Sequence, residues 1–287
     1  MGAGSVKVQG KKFNVKKDLG MLRLEIYNMN IKNLSDVKGL EKLKNLDALN
    51  LSNNEISELD GLDALSNLKQ LFFNNNKITE LKGLDSLTKV DRIFMTGNQI
   101  TEIKGLDKLS NLQWLELNRN KITELKGLEK LTSLIQLELE ENEITEIKGL
   151  DTLTNLQKLG LRRNQITEIK GLDKLTNLRM LLLDHNKIKE IKGLDTLINL
   201  ESLYLDSNQI PEIKGLDKLT KLETLYLDSN QIIDIKGLDN LDKLKLLYLG
   251  FNPLKKKEQG FAENVDVMGE EHVKNLIKAY KEWKPGS

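Results

Sequence analysis

The chain has 287 residues, of which 39% are hydrophobic and 30% charged, so it can build a large core. Its formal net charge of +1 provides no global basic field, and we therefore expect neither nucleic acid nor a membrane surface as a partner. Cysteine is absent, which excludes a disulfide framework.

The first 39 residues depart from the pattern that follows them. Residues 1–5 are polar and resemble a cloning remnant rather than a signal peptide, although a leader removed in cloning stays open. Residues 6–9 and 12–15 alternate in polarity around Gly10-Lys11, which predicts a β-hairpin. A degenerate first unit is predicted at 22–37. Together these segments are predicted to cap the amino end of the core.

A period of 22 residues governs residues 40–254. Asparagine keeps this period from Asn54 to Asn252, in about ten units. Self-similarity of this kind predicts a solenoid in which stacked units bury one continuous core. Glycine keeps the same period at Gly39, Gly61, Gly83, Gly105, Gly127, Gly149, Gly171, Gly193, Gly215 and Gly237.

Each column of the repeat has a predicted structural role. The alternation of Leu115-Glu116-Leu117 predicts a short strand, and stacked copies predict a parallel sheet. The Asn amide can satisfy turn backbone groups, and Gly permits a positive φ. The segment GLDKLTNL is too short for a long helix, and it predicts a 3₁₀ or single-turn segment. Glu and Lys columns outside the strands predict a solvated, charge-balanced face rather than a charged binding face.

The pattern LxxLxLxxNxIxxIxGLxxLxx over residues 40–254 resembles that of leucine-rich repeats. It is similar to the short 22-residue class of protein phosphatase regulators and internalins. The resemblance implies an α/β solenoid, a horseshoe with its parallel sheet on the concave face and short 3₁₀ or helical segments on the convex face. It also implies binding of a protein or peptide on the concave face.

Cellular location follows from the same resemblance. Extracellular leucine-rich repeat proteins of animals usually close their ends with disulfides, and this chain has no cysteine. We therefore expect a cytoplasmic protein, with a microbial surface location left open.

Residues 255–287 follow the last repeat and include one amphipathic stretch. Acidic residues open the stretch at 270, lysines close it, and Pro285 ends it, in accord with a helix. We predict a helical cap over the last unit, and a membrane or partner motif is the alternative. The apolar side of this helix comprises Val273, Leu276, Ile277, Tyr280 and Trp283.

The columns that vary most lie on the predicted strands, where side chains point to the concave face. They suggest an amino-terminal aromatic group, a central acidic zone followed by basic residues, and a second aromatic stripe bordered by aspartates. Exposed aromatic stripes are enriched in binding hot spots. The alternative is that the stacked rings only stabilise the sheet through contacts between neighbouring strands. We predict that the partner contacts Phe72, Phe94, Trp114, Glu116, Glu138, Arg162, Met180, Leu182, Tyr204, Asp206, Tyr226, Asp228 and Tyr248.

Cation binding and catalysis have weaker support. Asp184, Asp206 and Asp228 would lie about 5 Å apart and could hold a hard cation, but a rim of solvated carboxylates is favoured, and no metal is expected. His185 is interpreted as a solvent-exposed histidine. No phosphate-binding loop, zinc-protease or dinucleotide motif is present.

We therefore predict a monomeric, non-enzymatic binding scaffold without a cofactor. The alternatives are a structural or self-assembly module, or a consensus-designed scaffold.

Overall fold

The computed structural model describes residues 4–254 and 266–282. By contacts between residues it divides into two compact units, Met1–Glu143 and Ile144–Ser287, here called the amino-terminal and carboxy-terminal units. The sequence predictions for Trp283 and Pro285, and most of the one for residues 1–5, fall outside the described residues.

The amino-terminal unit begins with a hairpin. Strands β1 (Ser5–Val8) and β2 (Lys11–Asn14) are antiparallel. Val6 and Val8 are buried, and Lys7 exchanges backbone hydrogen bonds of 3.0 and 2.9 Å with Lys38. The hairpin therefore adds apolar side chains to the first turn of the core.

Seven strands form the main sheet of this unit. Strands β3 (Lys16–Asp18) and β4 (Met21–Glu25) are antiparallel, and each later strand pairs in parallel with the one before it. The later strands are β5 (Ala48–Asn50), β6 (Gln70–Phe72), β7 (Arg92–Phe94), β8 (Trp114–Glu116) and β9 (Gln136–Glu138).

The carboxy-terminal unit continues the pattern with five parallel strands in register. An antiparallel strand, β15 (Asp266–Met268), then pairs with the last of them, and helix α1 (Glu270–Glu282) follows with Val273 buried. No helix among the described residues is both long and apolar enough to cross a membrane. The five parallel strands are β10 (Lys158–Gly160), β11 (Met180–Leu182), β12 (Ser202–Tyr204), β13 (Thr224–Tyr226) and β14 (Leu246–Tyr248).

The invariant columns explain why these strands stack. Asn120 donates to the carbonyl oxygens of Met95 and Leu117, both at 3.0 Å, and accepts the N–H of Ile100 at 3.0 Å. One buried amide thus satisfies the backbone of its own unit and of the unit before it, where unpaired groups would be costly. Both the amino-terminal and the carboxy-terminal unit are β-solenoids with a parallel sheet, and the predicted fold class is confirmed.

The segment after each repeat glycine forms tight turns. In the described residues, 3₁₀ helices occur at Leu34–Asp36 and Leu40–Lys42. The later units instead have two successive turns, as where the N–H of Leu131 bonds to Leu128 at 2.9 Å and that of Leu134 bonds to Leu131 at 3.0 Å. Leucines three residues apart place each N–H over the preceding leucine carbonyl, so the chain turns without completing a helix.

Candidate protein-binding face

The two sides of every repeat strand differ in burial. The middle residue is fully buried, as in Leu71, Leu115 and Leu225, while the flanking side chains point away from the core. We call the surface formed by these outward side chains, together with the residues two positions after each strand, the sheet face. Its columns carry all the predicted partner-binding residues.

In the amino-terminal unit the sheet face carries three adjacent aromatic rings. Phe72 and Phe94 stack with centroids 4.8 Å apart and planes 2° apart. Trp114 lies 5.2 Å from Phe94 at an angle of 59°, and the Arg92 guanidinium lies 5.9 Å from the Trp114 ring. The three rings are half-buried, so the structure joins them into one amphipathic surface.

The two glutamates predicted for this site have different environments. Glu116 is half-buried and accepts a hydrogen bond of 2.6 Å from the Thr96 hydroxyl. Glu138 is only 4% exposed, so the expectation that it is open to a partner is wrong. Strands spaced about 4.8 Å apart leave little room between outward side chains, and exposure depends on the neighbours as well as on the strand position.

The carboxy-terminal unit carries a ladder of tyrosines. The rings of Tyr204 and Tyr226 stack at 4.5 Å, and those of Tyr226 and Tyr248 stack at 4.2 Å. Burial, and then the hydrogen bond to Tyr248, raise the pKa of Tyr226 to about 12. All three rings are half-buried, so the ladder presents hydroxyls and ring edges together.

Met180 and Leu182 precede the ladder on strand β11. Met180 is half-buried, but Leu182 is only 5% exposed, so the prediction that it forms part of an open stripe is wrong. Leu182 lies in register with Tyr204. Strands spaced about 4.8 Å apart leave little room between such neighbouring side chains.

An ion pair between the half-buried Arg162 and the buried Asp184 borders the tyrosine ladder. Arg162 Nε lies 2.6 Å from Asp184 Oδ1, and the Arg162 guanidinium lies 5.4 Å from the Tyr204 ring. Asp184 is 5% exposed, so its interpretation as part of a solvated rim is wrong. A buried carboxylate needs such a charged partner because its desolvation is costly.

The other aspartates of this column have different partners. Asp228 accepts the N–H of Gly250 at 2.8 Å. Asp206 is half-buried, and its pKa is raised by burial and then by the charge of Asp184.

His185 Nδ1 lies 3.5 Å from Asp184 Oδ2 and 3.7 Å from Asp206 Oδ2. The His185 side chain is 38% exposed, but its Nδ1 atom is buried, so the description of a simply solvent-exposed histidine is incomplete.

Two further residues, which were not predicted from the sequence, contribute to the sheet face. Arg92 packs over Trp114, and Thr96 holds Glu116. Both stand in variable columns beside the predicted residues, at the first strand position and two positions after the strand. Arg92 shares its column with the predicted Trp114, and Thr96 shares its column with the predicted Arg162, so the variability of the same columns could have identified both.

Comparisons with known proteins agree with this geometry. The family model described as "Leucine-rich repeat" matches residues 30–132, and the model described as "Leucine Rich repeats (2 copies)" matches 154–196, 176–218 and 198–240. Among solved structures, the chain is similar to an internalin, InlF, from Listeria monocytogenes. The two sequences are 30% identical, the TM-score is 0.67, and the match covers 80% of this chain and 74% of that chain. The chain belongs to the leucine-rich repeat family.

More distant structures share the fold of this leucine-rich repeat protein. A leucine-rich repeat protein of Leptospira interrogans is 24% identical, with a TM-score of 0.65, over 85% of this chain and 73% of that chain. A chain from an octameric complex of Latrophilin 3, Unc5D and FLRT2, whose leucine-rich repeat part is FLRT2, is 23% identical, with a TM-score of 0.76, over 95% of this chain and 84% of that chain. A comparison with curated proteins found no match.

Proposed function

We propose that this leucine-rich repeat protein is a non-enzymatic scaffold that binds a protein or peptide through its sheet face. Leucine-rich repeats commonly mediate protein–protein binding, and the family typically consists of binding scaffolds. The Gly and Asn columns do not change along the repeats, because they build the solenoid. The sheet-face columns do change, and specificity requires residues that differ from unit to unit.

The tyrosine ladder is the observation that carries the proposal. Its rings are held 4.5 and 4.2 Å apart and are half-buried, so binding costs little side-chain entropy. Tyrosine is enriched among interface hot spots, where loss of one side chain costs about 2 kcal/mol or more. Stacking also supports the sheet, by about 0.5–1.5 kcal/mol per pair, and the test must separate the two roles.

The test compares two triple variants of the full chain. Tyr204, Tyr226 and Tyr248 are replaced by Phe, which keeps the stacked rings, and separately by Ala. The matched control replaces Lys148, Lys170 and Lys192 by Ala in the Glu/Lys columns, where exposed ion pairs contribute little to stability. Partners are captured from the source cell with the wild-type chain, and their affinity for each variant is measured by calorimetry.

The proposal predicts that the Ala variant loses at least about 100-fold in affinity for the partner. Its circular dichroism spectrum should show that the fold is retained. The control should bind like the wild type. A control that loses the partner, together with an Ala variant that keeps it, would contradict the use of the sheet face.

Self-assembly is the second candidate, and three exposed apolar side chains favour it. Phe251, Ile198 and Ile233 are 74%, 54% and 40% exposed in the carboxy-terminal unit. Scattered apolar residues are common on monomers, and we expect a monomer. Light scattering over a range of concentrations decides this, because a dimer that dissociates in Phe251→Ser would favour the assembly module.

A further inference from the structure

Three side chains of metal-binding type converge at the border of the tyrosine ladder. One ligand atom from each of Asp184, His185 and Asp206 lies within 4.8 Å of the other two. Asp184 and His185 follow strand β11, and Asp206 follows strand β12, two positions after Tyr204. The stacking of two repeat units therefore brings together two carboxylates and an imidazole from a sequence that has no metal-binding motif.

The two distances from the histidine nitrogen are close to those between ligands in a metal coordination shell. His185 Nδ1 is 3.5 Å from Asp184 Oδ2 and 3.7 Å from Asp206 Oδ2. Ligands bound at about 2.1 Å around a tetrahedral ion are separated by about 3.4 Å. The observed distances are close to that separation, and they are longer than ordinary hydrogen bonds from nitrogen to oxygen.

The burial of the histidine nitrogen supports the same interpretation. His185 Nδ1 is buried and has no hydrogen-bond partner among the described residues. A buried ring nitrogen without a partner is uncommon because its desolvation is not repaid. This nitrogen faces two carboxylate oxygens, and a bound cation would satisfy all three atoms.

The surroundings hold the carboxylates in place. Arg162 Nε binds Asp184 Oδ1 at 2.6 Å, which fixes this carboxylate and leaves its Oδ2 towards His185. Such outer contacts orient ligands in metal sites. The positive charge of Arg162 offsets part of the negative charge of Asp184.

We propose that Asp184, His185 and Asp206 form a binding site for a divalent transition metal of the zinc type. An imidazole nitrogen with two carboxylates suits zinc and its neighbours better than calcium or magnesium, which prefer all-oxygen shells. Three protein ligands leave a fourth position for water or for a side chain of the bound partner. The site adds to the proposed function but does not depend on it.

The repeat itself offers the best variant for testing the site. His185 has φ +55°, and the equivalent residues Ser207 and Ser229 have φ +54° and +53°. His185→Ser therefore places a residue that two other units already carry in the same backbone conformation. Asp206→Asn removes the second ligand's charge, and His272→Ala, on the exposed side of helix α1, is the matched control.

The experiment titrates Zn²⁺ into tag-free, metal-free full-length protein by calorimetry, with Co²⁺ absorbance as a second readout of coordination. We expect one equivalent to bind, with affinity reduced more than about tenfold in His185→Ser and in Asp206→Asn and unchanged in His272→Ala. The Co²⁺ spectrum should indicate four-coordinate geometry and disappear in His185→Ser.

Two results would overturn the site: no saturable Zn²⁺ binding by the wild type, or binding that His185→Ser leaves unchanged. Circular dichroism of both variants establishes that they are folded. Partner affinity is measured separately on the tyrosine variants, so failure of the metal site and failure of the protein-binding proposal are distinguishable.

Discussion

At the scale of single residues, the asparagine column shows how much a repeated polar residue reveals. Its role in satisfying the backbone of two units could be predicted from its spacing and its donors and acceptor. Asn120 does this with bonds to three carbonyl oxygens and one N–H. The burial of Asp184 and Glu138 could not be predicted in the same way, because it depends on the size and charge of neighbours that follow no repeat.

Replacing Asn120 by Ala should lower the free energy of unfolding by at least about 2 kcal/mol, because several buried backbone groups lose their partners. Urea denaturation measures the change. The matched control is Asn111→Ala, since Asn111 is exposed and donates one bond of 2.8 Å to Thr88. Equal losses of stability in the two variants would show that the buried asparagine contributes no more than the exposed one.

Tyr226 makes stability sensitive to alkaline pH. Its pKa in the folded chain is raised to about 12, above the value of about 10 of an unfolded tyrosine. The folded state therefore keeps the proton more strongly, and this contribution, complete below about pH 10, is lost as pH rises towards 12. Between about pH 9.5 and about pH 12, the melting temperature of Tyr226→Phe should therefore fall less than that of the wild type. An equal fall of the melting temperature with pH in the two chains would contradict the raised pKa of Tyr226.

At the scale of elements, the strands could be predicted better than the segments between them. The alternation around Leu115 indicated a short strand with one buried face, and strand β8 spans Trp114–Glu116. The Leu-x-x-Leu spacing indicated turns or one-turn helices, but it could not distinguish two successive turns from a 3₁₀ helix, because both use bonds between residues three apart.

The repeat glycine allows neighbouring units to approach closely. Gly127 has φ +85°, and a Cβ there would overlap the carbonyl oxygen of Ile103. Gly20 has φ +82°, but a Cβ there meets nothing within 4 Å. Both alanine variants share the cost of the positive φ, about 1–2 kcal/mol.

Gly127→Ala should therefore lose clearly more stability than Gly20→Ala, by more than about 2 kcal/mol on steric grounds. Thermal denaturation of both variants checks the difference. Similar melting temperatures would mean that backbone conformation alone, rather than close packing of units, selects glycine in this column.

At the scale of the whole molecule, residues 1–39 and 255–287 do not follow the 22-residue repeat, so the repeat does not predict their structure. Helix α1 buries Val273, and β15 occupies the edge of β14. We propose that these elements cap the core, and that residues 40–254 and 1–39 are the repeat array and the amino-terminal cap. Cytoplasmic location, monomeric state and the absence of nucleic-acid or membrane partners remain predictions.

Deleting residues 266–287 should expose Leu244 and Leu249, which are now fully buried, together with the edge of β14. Each exposed leucine costs roughly 1.5–3 kcal/mol, so the shortened chain should melt at a clearly lower temperature or aggregate. Calorimetry and light scattering measure both effects. A soluble chain of unchanged stability would favour an interaction role for the helix over a cap.

The central claim is that the partner binds to the sheet face, and site-specific photocrosslinking tests this claim most directly. Benzoylphenylalanine is placed at Tyr226 on the tyrosine ladder, or at Lys192 in the Glu/Lys columns of the same unit, and the source cell is irradiated. We predict one dominant crosslinked protein from position 226, displaced by excess unlabelled wild-type chain, and none from position 192. The same protein crosslinked from position 192 and absent from position 226 would contradict the claim.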